Sequence, residues 1–150
     1  MKKLKITPIK NGTVIDHIPP GRALKVLHVL QLPEPSSAVI SVAINVKSKL
    51  GKKDIVKIEN RELDKREVNK ISLIAPNATI NIIRDFDVYE KHRVQLQQEI
   101  VGIVKCSNPT CISNANEPVE SRFYLVSKDP LNIKCYYCER EAEDIVDRII

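Results

Sequence analysis

Four cysteines constrain this 150-residue chain more than any other feature, because all of them fall after residue 105. They form two close pairs, Cys106-x4-Cys111 and Cys135-x2-Cys138, separated by a spacer of 23 residues. Two such pairs on short loops can direct four thiolates at one ion, which is the ligand pattern of a tetrahedral structural zinc site. The sequence therefore predicts one structural Zn²⁺ per chain, bound by these four cysteines.

Two disulfides, a redox dithiol and a catalytic zinc are the alternatives to this interpretation. Disulfides are typical of secreted proteins, and no apolar segment of signal-peptide length follows the basic "MKKLKITPIKNG". A thioredoxin-like site needs its Cys-x-x-Cys at the start of a helix, and "IKCYYCERE" follows a strand pattern. A catalytic zinc keeps one position open for water, whereas four thiolates close the shell here. A domain of about 45 residues buries too little core to fold without such a metal.

The charge of the chain is distributed unevenly, although its net value is +5. Residues 1–100 carry 18 Lys and Arg against 11 Asp and Glu, while residues 101–150 carry 6 against 8. The two parts should therefore meet different partners. The acidic cysteine-containing part fits a protein partner better than nucleic acid. No apolar run approaches the ~20 residues that a membrane span needs, and we expect a cytoplasmic protein.

Hydrophobic periodicity in the first hundred residues predicts the element order β-α-β-β-α-β. The strands are "GTVIDHI", "AVISVAINV", "KKDIVKIEN" and one long strand, "ATINIIRDFDVYEKHRV". The helices are "GRALKVLHVLQL", which Pro33 and Pro35 end, and "DKREVNKISLIAP", which Asp64 caps. This order is the ferredoxin-like one. The predicted fold class is therefore α+β, with a ferredoxin-like domain over 1–98 and a small β-rich zinc domain over 99–150.

Two finer expectations concern where side chains point. The first helix is expected to turn Leu24 inward together with its apolar neighbours. The second strand of the hairpin is expected to carry Ile55 and Ile58 near one side, with Lys57 on the pleat between them.

The acid and histidine side by side in "GTVIDHIPP" are the first candidates for a binding site. In a sheet of this order the first strand, the hairpin and the last strand can lie close together. That would gather Asp16, His17, Lys53, Lys57 and Lys91, a set that suits phosphates and a ribose hydroxyl pair.

Simpler interpretations stay open for these residues. A histidine at a strand end is more often a surface or hydrogen-bonded residue than a ligand, and Asp16 could bond a turn amide. "KSKLGKK" is more often a solvated loop, and the helix start at Gly21 is a weaker phosphate candidate. A catalytic interpretation lacks a nucleophile next to His17 and a second carboxylate pair.

Four sequence blocks carry a resemblance to a known family: "GTVIDHIP", "KKDIVKIEN", "APNATINII" and the cysteine frame "CSNPTCI…KCYYCE". In this order and at these separations, the chain resembles the regulatory chains of aspartate carbamoyltransferase over its whole length. The resemblance implies a non-catalytic subunit that binds CTP, ATP and in some members UTP, and controls pyrimidine biosynthesis allosterically. It also implies a zinc domain that docks on the catalytic chain. Regulatory chains would pair through their allosteric domains, and these dimers would bridge catalytic trimers.

The resemblance also assigns residues. Asp16 and Lys57 would hold ribose and base groups, His17 and Lys91 would meet the triphosphate, and Lys53 would add positive charge nearby. The base pocket would be formed by Ile9, Val14, Phe86 and Val88. The zinc ligands would be Cys106, Cys111, Cys135 and Cys138. Glu139 would contact the catalytic chain.

Several positions depart from the family pattern. Phe86 replaces an expected tyrosine and Thr7 an expected glutamate, which leaves open which nucleotide acts and in which direction. Ser127 stands where an arginine is expected, which puts one contact with the catalytic chain in doubt. The alternatives to a regulatory chain are a free-standing zinc-containing nucleotide sensor and a zinc-ribbon nucleic-acid-binding protein.

Overall fold

The computed structural model describes residues 8–32, 38–49, 51–116 and 119–150. The chain divides into two compact units, Met1–Val94 and Gln95–Ile150. The sequence predicts a domain boundary between residues 98 and 99. The positions of Thr7, Pro33 and Pro35 lie outside the described residues.

The first unit is built on an antiparallel sheet of five strands in the order β2-β3-β1-β4-β5, so that β1 lies between β3 and β4. Helix α1 packs against α2 and against β3. The predicted ferredoxin-like order is confirmed, and β5 extends the sheet at one edge. The elements in chain order are β1 (Gly12–Ile18), α1 (Ala23–Val29), β2 (Ile40–Ser48), β3 (Gly51–Glu59), α2 (Lys65–Ile74), β4 (Thr79–Arg84) and β5 (Asp87–Arg93).

Strand β3 has a buried face and a partly exposed face. Asp54, Val56 and Ile58 are buried, whereas Ile55 and Lys57 are half-buried on the opposite side, which we call the open face. The expectation that Ile55 and Ile58 lie near one side is wrong. Successive side chains of a strand alternate between faces, so residues three apart point in opposite directions.

The predicted long fourth strand is a hairpin. Asp85 and Phe86 form a two-residue turn between β4 and β5, with φ of 51° and 68°. Positive φ at both central residues is the geometry of the turn that matches strand twist, and glycine or asparagine usually marks it. Asp85-Phe86 contains neither glycine nor asparagine, so the sequence shows no turn signal here and predicts one continuous strand.

The predicted cap of α2 is present, whereas the predicted buried side of α1 differs from the one in the structure. Asp64 caps α2 through a capping box: its carboxylate accepts the Glu67 backbone N–H at 2.8 Å, and the Glu67 carboxylate accepts the Asp64 N–H at 3.1 Å. In α1, Ala23, Val26 and Leu27 are buried, but Leu24 is 65% exposed. The expectation that Leu24 points inward is wrong, because the buried stripe of α1 runs along the other side.

The second unit contains a three-stranded antiparallel sheet of β6 (Glu99–Val101), β7 (Arg122–Lys128) and β8 (Leu131–Cys135), in that order. Phe123 and Ile133 are among its fully buried side chains. Strands β7 and β8 belong to the spacer between the cysteine pairs, and β8 ends at the third cysteine. Among the described residues, no helix is long and apolar enough to cross a membrane.

Candidate functional site

One row of residues crosses four strands on the open face. Lys57 of β3 lies opposite Val14 of β1, Val14 opposite Asn81 of β4, and Asn81 opposite Lys91 of β5. Residues directly opposite each other share a face, so two lysines flank an apolar and an amide side chain. Partial burial lowers the pKa of Lys57 below its ordinary value, because desolvation penalises the ammonium.

The neighbouring row carries the acid. Asp16 lies opposite Thr79, and Thr79 lies opposite Arg93. The Asp16 carboxylate pairs with the Lys53 ammonium at 2.9 Å. Because residues two apart on a strand project to the same face, this row and the first one belong to one surface.

His17 reaches this surface through a bulge in β1. The pairing of β1 with β3 shifts register between Ile15 and Ile18, and His17 takes a left-handed conformation with φ of 59°. Its N–H donates to the Asp16 carboxylate at 2.6 Å, and its Nδ1 lies 3.2 Å from Thr79 Oγ1. Bulges are a common means of redirecting side chains beside binding sites.

A concave pocket of about 570 Å³ opens beside His17. Its cationic lining includes Lys52 and Arg93, neither of which was predicted as a site residue. Alternation along "KHR" is the signal that could have found Arg93, since it places Arg93 on the face of Lys91. The lining residues are His17, Ile18, Pro19, Ser48, Lys52, Lys53, Asn77, Thr79 and Arg93.

Exposed apolar side chains lie at the opposite end of the first unit's sheet, near the β4–β5 turn, although Glu59 belongs to the same row as Val88. Val88 lies opposite Ile83 and is 58% exposed, and Phe86 is 64% exposed. The Phe86 N–H donates to the Lys10 carbonyl at 2.9 Å, which ties the β4–β5 turn to the segment that contains the buried Ile9. Exposed apolar side chains thus lie at one end of β1 and cationic ones at the other, an arrangement suited to a ligand with an aromatic base at one end and phosphates at the other.

The four cysteines of the second unit form a cluster whose Sγ atoms all lie within 4.8 Å of one another. Cys106 and Cys138 are separated by 3.7 Å between their sulfurs, and so are Cys111 and Cys135. A disulfide requires about 2.05 Å. A tetrahedron with metal–sulfur bonds of about 2.3 Å has edges of about 3.8 Å, so these residues fit a four-coordinate metal ion.

Local hydrogen bonds shape the two cysteine loops. Asn114 donates to the carbonyls of Cys106 and Asn108 at 2.9 and 2.7 Å, which closes the first loop. In the second loop the Glu139 N–H donates to the Cys135 carbonyl at 3.0 Å, and Glu139 takes φ of 59°. Local hydrogen bonds and backbone geometry in both loops therefore direct the four thiols toward one another.

Burial affects how readily the thiols ionise. Desolvation raises the pKa of Cys106 to about 12. Burial also acts to raise the pKa of Cys138, but hydrogen bonds from the Arg140 backbone and the Asn108 side chain outweigh it and lower that pKa to about 7. A bound cation supplies the positive charge that four adjacent thiolates need.

Comparison with known proteins agrees with both parts of this description. Residues 4–95 match the family model for the allosteric domain of the aspartate carbamoyltransferase regulatory chain, and residues 98–146 match the model for its metal-binding domain. Curated regulatory chains from Thermococcus onnurineus and Methanothermobacter thermautotrophicus are 58% and 56% identical. These alignments cover 96% and 97% of this chain and 95% and 96% of the relatives, respectively. The resemblance read from four sequence blocks is confirmed, and the chain belongs to the family of aspartate carbamoyltransferase regulatory chains, with an allosteric domain followed by a metal-binding domain.

Proposed function

We propose that the first unit binds nucleoside triphosphates on its open face and that the chain is a non-catalytic subunit. CTP and ATP are the proposed effectors, with UTP as a third candidate. One observation carries the proposal: the strand register aligns Lys57, Val14, Asn81 and Lys91 across the sheet, next to the pocket of His17. A nucleotide presents a base, a ribose and phosphates in that order, and along β1 the face presents exposed apolar side chains, this row and then the cationic pocket.

Each group of the nucleotide has a proposed partner. Ile9, Val14, Phe86 and Val88 bind the base, partly through backbone groups. The Asp16 carboxylate accepts hydrogen bonds from the ribose hydroxyls, and Lys57 binds ribose and base oxygens. The phosphates are bound by His17, Lys53 and Lys91, to which the pocket geometry adds Arg93. Lysines act there as compact point charges, whereas an arginine can bind two phosphate oxygens at once.

Calorimetric titration of the full metal-loaded chain with CTP and ATP tests this site. We expect the two nucleotides to compete, and Lys91→Ala to weaken both by about tenfold, since a charge-assisted hydrogen bond contributes ~1.5–3 kcal/mol. Lys65→Ala removes an exposed lysine at the start of α2 and should leave both affinities unchanged. Unchanged affinity in Lys91→Ala would overturn its assignment, and a wild-type chain that binds neither nucleotide at millimolar concentration would overturn the proposed effectors.

The ion of the metal-binding domain is proposed to be Zn²⁺, with one ion per chain. Four cysteines at tetrahedral spacing form a closed structural site typical of zinc. An all-thiolate site also suits a reducing compartment, and we propose that the chain acts in the cytoplasm. Metal analysis of the purified chain should give one equivalent of zinc, and substitution of any one cysteine should abolish it.

The proposed partners differ between the units. The metal-binding domain docks on the catalytic chain of aspartate carbamoyltransferase, with the exposed Glu139 in the contact. The allosteric domain pairs with a second copy, and such dimers join catalytic trimers into a larger assembly. The edge strand β2 supports this pairing: its one neighbour among the described strands is β3, and Val42 and Ile44 are 38% and 48% exposed. Exposed apolar edge strands readily pair with another chain.

Control of the catalytic chains follows from linkage. A nucleotide changes activity only if its affinity differs between two quaternary states, and the coupling is reciprocal. Ligands of the substrate site that shift the assembly should therefore change its affinities for CTP and ATP. Each affinity should change by the same factor by which that nucleotide changes the affinity for the substrate-site ligand. Equal nucleotide affinities in the two states would rule out a regulatory effect of this pocket.

A further inference from the structure

A buried carboxylate lies next to the pocket and belongs to none of the roles described so far. Asp54 of β3 is fully buried, and it accepts three backbone N–H groups. Gly21 and Ala23 donate to its Oδ2 at 2.9 and 3.1 Å, and Asn45 donates to its Oδ1 at 3.0 Å. A buried charge is tolerated when it is hydrogen-bonded in this way, and bonds to an ionised acceptor are stronger than neutral ones.

These donors come from places where regular structure is interrupted. The Arg22 side chain makes no capping bond within the described part of the chain, so Asp54 caps the start of α1 from the neighbouring strand. Asn45 has φ of 61° and lies where the β2–β3 register shifts, between Ala43 and Val46. Ile18, just after the bulge in β1, is the strand partner of Asp54 itself. Asp54 thus lies where two irregular strand pairings meet.

The segments that Asp54 holds form most of the pocket beside His17. One wall comes from the end of β1 and the residues just before Gly21, and consists of His17, Ile18 and Pro19. Another wall comes from the β2–β3 hairpin after the β2 bulge, and consists of Ser48, Lys52 and Lys53. The same loop contributes Arg22, whose guanidinium donates to the Ile74 carbonyl at 2.7 Å. That bond holds the end of α2, three residues before the pocket residue Asn77.

We propose that Asp54 is a positioning residue that fixes the phosphate-binding walls of the nucleotide pocket; this rests on the proposed function. The carboxylate does not contact the nucleotide. It holds the loop after β1 and the β2–β3 hairpin at the separation at which His17, Lys53 and Lys52 can bind phosphates together. The base-binding end of the face, at Phe86 and Val88, lies outside the segments that it ties.

Two nucleotides that differ only in phosphate number test the proposal. The full metal-loaded chain and Asp54→Asn are titrated with CTP and CMP well below their unfolding temperatures. We expect about tenfold weaker CTP binding, because the free energy of about one charge-assisted hydrogen bond must then be drawn from phosphate binding to order the two segments. CMP binding should change by less than about threefold. A purely electrostatic role predicts the opposite sign, because removing a negative charge beside a phosphate site should tighten CTP binding.

Asp64→Ala is the control, since it also removes a carboxylate that caps a helix, in this case an exposed one at the start of α2, whose first turn contributes no residue to the pocket beside His17. It should lower the unfolding temperature and leave the ratio of CTP to CMP affinity unchanged. An unchanged ratio in Asp54→Asn, which means equal losses for both nucleotides, would overturn the proposal, as would a raised ratio. Failure of the wild-type chain to bind CTP would instead overturn the proposed function.

Hydrogen exchange of the wild-type chain gives a second measurement that does not depend on the folding of a variant. CTP should slow exchange of the Gly21, Ala23 and Asn45 amides more than CMP does, because phosphates tighten the segments that Asp54 holds. Equal protection by the two nucleotides, or none, would contradict the proposed role.

Discussion

At the scale of single residues, Gly12 has a backbone position that excludes a side chain. Its φ is 142°, and a Cβ atom built there would lie 2.1 Å from the Ile58 carbonyl oxygen. Gly12→Ala therefore adds a steric clash to conformational strain. Gly51→Ala, at φ of 118° with nothing within 4 Å, adds strain alone. We expect Gly12→Ala to lower the free energy of unfolding by about 2 kcal/mol more than Gly51→Ala. Urea unfolding of both variants measures this difference, and equal losses would contradict it.

Glu139 combines an unfavourable conformation with a proposed contact. Its left-handed backbone costs a residue other than glycine about 1 kcal/mol. Glu139→Gly should therefore stabilise the metal-loaded second unit against unfolding by about that amount. If the carboxylate meets the catalytic chain, the same variant should bind catalytic trimers more weakly, which is measurable by analytical ultracentrifugation. Glu141→Gly, two residues further on, is the control for the loss of a neighbouring charge. Undiminished assembly with Glu139→Gly would remove Glu139 from the interface.

At the scale of elements, the outer edge of β2 is where the proposed pairing of regulatory chains can be tested. Ile44→Lys places a charge on the exposed edge, a substitution that natural proteins use to prevent strand pairing. We expect the isolated chain to sediment as a monomer in this variant and as a dimer in the wild type. Val126→Lys changes an apolar residue of the second unit that is 52% exposed, and should leave the dimer intact. A dimer that persists in Ile44→Lys, with thermal unfolding unchanged, would exclude this edge.

The elements also separate what the sequence could predict from what it could not. The cysteine spacing and the βαββαβ order were readable because each depends on short-range pattern. The β4–β5 turn was missed because Asp85 and Phe86 adopt positive φ without the usual glycine. The role of Asp54 was invisible for another reason. Its donors Gly21, Ala23 and Asn45 lie 33, 31 and 9 residues away, and only the folded sheet brings them to one carboxylate.

At the scale of the whole molecule, the two units are expected to depend on the metal to different extents. The described part of the second unit is small and contains the cluster of four cysteines. Structural zinc contributes about 10–16 kcal/mol to the folding of small zinc domains. The first unit has its own five-stranded sheet and contains none of the cysteines. Exhaustive treatment with a zinc chelator should therefore unfold the second unit alone. Amide resonances of residues 95–150 should collapse to unfolded positions, whereas those of β1, β3 and β4 stay dispersed and still shift with CTP.

If the second unit docks on the catalytic chain as proposed, the same treatment should release catalytic trimers, because the unfolded unit no longer offers a docking surface. Ultracentrifugation of the assembly before and after chelation measures this release, and added zinc should restore both the resonances and the assembly. Restoration is the control for oxidation of the thiols, which zinc cannot reverse. An assembly that survives complete loss of the metal would show that docking does not require the cysteine loops. Loss of CTP binding together with the metal would show that the first unit depends on the second, contrary to the separate cores described above.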